Sequence, residues 1–157
     1  MAKLKDKPHV ISELYEINQK LIPLKELADR ELVSIRGLTG MVYTPYLDDY
    51  MQICIKKAEI LVCLKNQKLL PLSQVELIST ALSALHSRAK NRSVVEYQKR
   101  NYQRRFLPLK LSKSGKNVQK WAKVWLLQDS AGNIDPNWES DVREIWPSYF
   151  LIRTINL

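Results

Sequence analysis

Residues 93–128 read SVVEYQKRNYQRRFLPLKLSKSGKNVQKWAKVWLLQ, and the fold of the chain turns on how this stretch is read. Ser93-x-x-Glu96 has the form of a capping box, the serine placed to accept from an amide and the glutamate to reach back. It predicts a helix over 94–106, ended by Pro108, which cannot continue one. Projected at about 100° per residue, Val95, Tyr102 and Phe106 share one side, while Arg100 and Arg104 lie opposite with Tyr97 and Asn101 beside them. After a basic connection, Val118, Trp121, Ala122 and Trp125 recur at i, i+3, i+4 and i+7. That spacing predicts a further helix over 117–128, with Lys116, Lys120 and Lys123 along its other stripe. On this reading Trp121 and Trp125 belong to a core, and Tyr97 stands exposed among arginines, where it can stack on an unpaired base.

Working outward, the remaining chain also carries helical periodicity. Leu14, Ile17, Leu21, Leu24 and Leu27 mark a helix over 10–35 that Pro23 should kink or split, and Gly37 and Gly40 mark a loop. Thr44-Pro45 reads as a cap followed by proline at the first helical position, opening a helix to residue 66. Asp48 and Asp49 sit in its first turn, where the helix dipole favours anions. A second capping box, Ser73-x-x-Glu76, opens a helix over 74–89, and Asp135-Pro136 starts a short one ending near Trp146-Pro147. The tail from Ser148 reads as a docked extended segment or a last helical turn. Only four glycines are present, too few for the many tight turns of a sandwich or barrel. The expected fold is all-α, a compact bundle of five to six helices in one domain spanning residues 1–157.

The charge is unevenly placed. The chain has 157 residues and a net charge of +9. Residues 88–123 hold twelve basic side chains against Glu96 alone. The first 87 residues are close to neutral, and the segment 129–157 is acidic and apolar. Arg88, Lys90, Arg92, Arg100, Arg104, Arg105, Lys110, Lys113, Lys116, Lys120 and Lys123, with Tyr97, are therefore the candidate nucleic-acid-binding residues. Lysines and arginines spaced along an element can follow backbone phosphates, and each neutralised phosphate releases condensed counterions, giving affinity without sequence preference. Arginine adds bidentate phosphate contacts.

Other function classes lack their residues. There is no glycine-rich phosphate loop, HExxH, CxxC or G-x-S-x-G, and the two histidines, His9 and His86, stand far apart in the chain. No catalytic residue, metal or cofactor is expected. Cys54 and Cys63 project to opposite sides of one helix and read as free thiols of a reducing compartment. With no signal-peptide pattern and no apolar run of spanning length, a cytoplasmic protein without a membrane partner is expected.

With its capped helices over 74–89 and 94–106, the basic stretch RAKNRSVVEYQKRNYQRR and the lysine stripe after Pro108, the chain resembles the small subunit of multi-subunit CRISPR effector complexes, Cascade-like and notably type I-D. The resemblance is one of size, helical layout and charge. It implies a helical bundle, present in several copies beside other subunits, lining the guide–target duplex and holding the displaced DNA strand in a basic groove while guide pairing supplies specificity. The alternative is an adaptor whose basic face docks an acidic protein.

Overall fold

The computed structural model describes residues 8–37 and 43–152. Length alone suggests one domain, yet the chain groups into two compact units, Met1–Pro71 and Leu72–Leu157.

The first unit is a helical hairpin of α1 (Ile11–Ser34) and α2 (Pro45–Asn66). Its two ends show that the helices run antiparallel. The Glu31 carboxylate, near the end of α1, accepts from the Tyr46 and Leu47 amides at the start of α2 (3.3 and 2.9 Å), and Gln67 beyond the end of α2 donates to the His9 carbonyl (3.1 Å). Glu31 thus supplies from another helix the N-terminal capping that Thr44 does not: Thr44 makes no side-chain cap bond, and its hydroxyl donates to the Asp48 carboxylate instead. Ile17, Ile60 and Leu64 form the buried seam. Pro23 does not split α1, which runs through it as one helix.

The second unit overturns the all-α expectation. It contains α3 (Gln74–Leu85), an antiparallel three-stranded sheet, α4 (Pro136–Ile145) and a 3-10 turn, Pro147–Phe150. The strands are β1 (Val94–Tyr97), β2 (Arg100–Leu111) and β3 (Val118–Gln128), in the spatial order of the chain. So the helix expected over 94–106 is a β-hairpin, and the one over 117–128 is a strand. Ser93 makes no capping box; its hydroxyl donates to the Lys90 carbonyl at 2.6 Å. The Ser73 box does form: Ser73 Oγ accepts from the Glu76 amide and Glu76 Oε1 from the Ser73 amide, both at 3.2 Å. That helix ends at Leu85, short of the expected residue 89.

Gln98 and Lys99 alone join β1 to β2, with φ of +50° and +66°. Two left-handed residues in succession give the mirror-image turn whose twist suits a two-residue hairpin. Residues 112–117 join β2 to β3, closed by the Ser112 amide donating to the Asn117 carbonyl at 2.8 Å, with Gly115 at φ +72°.

Pro108, expected to stop a helix, lies inside β2 opposite Trp121. The Arg104 amide donates to Ser93 and the Phe106 amide to the Asn91 side chain, so the even-numbered residues here turn their amides away from β3. Pro108 follows in that alternation, on an edge that β1 does not reach, and its missing N–H costs no ladder bond.

Period-2 alternation places Tyr102, Arg104, Phe106, Trp121, Lys123, Trp125 and Leu127 on one sheet face. α3 and α4 touch this face: the Trp125 indole donates to Ser83 Oγ (3.2 Å), the Trp138 indole to the Trp125 carbonyl (2.8 Å), and Tyr102 packs 5.3 Å from the Trp138 ring. Leu107, Ala122, Val124 and Leu126 on the opposite face are buried too. The sheet is therefore enclosed on both sides around β3's second half.

Candidate nucleic-acid interface

The candidate interface is the part of the β2–β3 hairpin that leaves this core. In β3, residues 124–127 are all buried, whereas Gln119, Lys120 and Trp121 are all exposed. In β2, Lys110 and Leu111 are exposed as well. Side chains on successive residues point to opposite faces, so a run of exposed residues means that both faces are uncovered. The distal hairpin is a two-stranded ribbon standing clear of the packed sheet.

That ribbon carries Lys110, Lys113, Lys116 and Lys120, all exposed, with Lys123 at its base. Lys110 stands directly opposite Lys120 after a bulge that follows Pro108. Like charges facing each other across a strand pair destabilise it; neither lysine is in an ion pair with a described residue, and the chain has no acidic residue between Glu96 and Asp129. Lys123 lies over the Phe106 ring, its ammonium 5.0 Å from the centroid, and Phe106 is tilted against Trp121 at 6.4 Å.

The other candidate residues divide. Arg88 and Lys90 are exposed in the connection after α3 and line a shallow cleft of about 520 Å³ with His86, Ser87 and Ser93. Arg92, exposed and at φ +68°, is held beside β2 by its amide, which donates to the Arg104 carbonyl at 2.7 Å. These three flank the middle of β2. Arg100 is exposed at the far end of that strand, roughly 36 Å from the distal turn at about 3.3 Å per residue. Arg105 points to the opposite face from Arg104 and donates to Gln103 at 3.0 Å.

Arg104 does not belong to an exposed stripe. It is 5% exposed, its guanidinium 4.6 Å above the Trp125 ring, and burial lowers its pKa. Tyr97 is likewise not a free stacking residue; it is half-buried, edge-on to Tyr102 at 6.5 Å. The tryptophans part company, since Trp125 is core at 1% exposure and Trp121 is 46% exposed. Trp121 is the exposed tryptophan that helical projection assigns to the core; alternation through 121, 123 and 125 is the signal that groups it with Lys123.

Elsewhere, no group of three or more His, Cys, Asp or Glu side chains converges among the described residues. No helix there is long and apolar enough to cross a membrane. Cys54 and Cys63 are not bonded to each other. Comparison with protein-family models, with curated proteins and with solved structures gives no match to this chain.

Proposed function

We propose that this chain is a non-catalytic nucleic-acid-binding protein that grips the phosphate backbone with the lysine-lined distal ribbon of β2 and β3. The observation that carries the reading is the set Lys110, Lys113, Lys116 and Lys120 on a ribbon clear of the core, two of them face to face, with no acid in the segment. A polyanion removes the repulsion that the fold leaves standing, and a two-stranded ribbon is narrow enough to follow a groove or a strand. Arg88, Lys90 and Arg92 extend the positive surface along β2. Of the resemblance to CRISPR small subunits, size and charge remain and the helical layout does not; membership of such a ribonucleoprotein assembly is the narrower form of the same proposal.

The triple variant Lys110→Glu/Lys116→Glu/Lys120→Glu tests it. All three side chains are exposed, so the circular dichroism spectrum and melting temperature should not move. Affinity for single-stranded and duplex oligonucleotides should drop at least about 100-fold, and the log–log salt slope should flatten by roughly 2 to 3. Binding that survives with an unchanged salt slope would exclude the ribbon and move the contact to the exposed Arg88, Lys90, Arg92 and Arg100, whereas wild-type chain that binds no oligonucleotide would favour a protein-docking role for the basic surface.

A further inference from the structure

We infer that the strand held by this ribbon is unpaired, with a base stacked on Trp121; the inference rests on the backbone-binding reading above. Three of the four tryptophans are buried or half-buried, and Trp121 alone presents nearly half of its surface to solvent. It is not a loosely placed ring. It stands on a strand opposite Pro108, whose fixed φ stiffens the partner backbone, and Phe106 braces it at 6.4 Å on the same sheet face. Lys123 sits over Phe106, and Lys120 precedes Trp121 in the chain.

An exposed indole gains nothing from phosphate, which the lysines serve. Its complement is a flat apolar surface. A protein partner supplying one would have to desolvate the surrounding lysines, a residue type depleted at interface cores. A duplex keeps its base faces stacked inside. An unpaired base offers its face freely while its phosphate reaches the neighbouring ammonium groups, the pairing of stacking platform and cationic track by which proteins hold single strands without reading sequence.

Full-length chain carrying Trp121→Ala or Trp121→Phe is titrated into labelled oligothymidylate and into a blunt duplex of about the same length. Trp121→Ala should weaken the single strand roughly 10- to 100-fold and leave the duplex almost unchanged, Trp121→Phe should recover most of the loss, and neither should alter the salt slope. Equal losses on both probes, or no loss on either, overturn the stacking assignment while the lysine variant still decides backbone binding. Wild-type chain that binds neither probe overturns the backbone reading itself.

Discussion

At Arg104 the chain places a guanidinium where charge is least welcome. The residue is 5% exposed, faces the Trp125 ring, and its Nε and Nη1 have no hydrogen-bond partner among the described residues. A cation over an aromatic face recovers part of the lost hydration, but no carboxylate completes it. Methionine has nearly the same reach, no charge, and a sulfur that suits an aromatic neighbour. Arg104→Met should therefore raise stability by about 1 kcal/mol, seen in a thermal melt, and leave oligonucleotide affinity as it was. A drop of that size would show instead that the cation–aromatic contact outweighs the charge's desolvation. For the same reason Arg104→Glu is a poor probe of binding, since it would put a carboxylate against Trp125 and unfold the sheet.

Elements are where the sequence misleads, and the causes are physical. Lys, Arg and Gln are good helix formers, so QKRNYQRR over 98–105 carries helical propensity into what is a strand. The turn at Gln98 and Lys99 adopts two left-handed residues without the Asn-Gly pair that usually signals it. β3 is buried on both faces along 124–127, which erases the alternation by which a strand is recognised. Where a local bond fixes an end, reading succeeds: Ser73 caps α3, and Asp135 caps α4 through the Trp138 amide at 2.9 Å. The unusual turn gives its own test. Gln98→Asn/Lys99→Gly supplies residues that accept positive φ and should stabilise the hairpin by about 1 kcal/mol, read as a higher melting temperature. An unchanged or lower melting temperature would mean that the tight turn does not limit β1. Of the interface, the block of charge was legible from counting alone. The separation of Trp121 from Trp125 was not, because residues four apart share a face in either period; what differs is how far along the strand the helices reach.

The two units differ in what they can bury. The cluster around Tyr102, Trp125, Trp138 and Val142 lies wholly within Leu72–Leu157, whereas the hairpin of α1 and α2 has a buried cluster of three residues among those described, Ile17, Ile60 and Leu64, with Ala28 buried apart from it, and leaves Ile11, Tyr15, Ile22 and Val33 exposed. Residues 72–157 expressed alone should melt cooperatively and bind oligothymidylate much as the whole chain does, while 1–71 alone should show no sharp transition. A fragment 72–157 without a cooperative melt would show that its cluster does not suffice. Since the proposed contacts all lie in that half, its folding and its binding are expected to travel together. One further consequence comes from the strand edge beyond β1, where Asn91 takes the Phe106 amide and Pro108 has none to offer. A cross-β stack grows by recruiting free amides along a strand, and here β2 withholds two of them. Addition of a further strand is therefore disfavoured along this edge of β2, and for copies crowded on one polymer the pairing risk moves to the outer side of β3, the other border of the sheet.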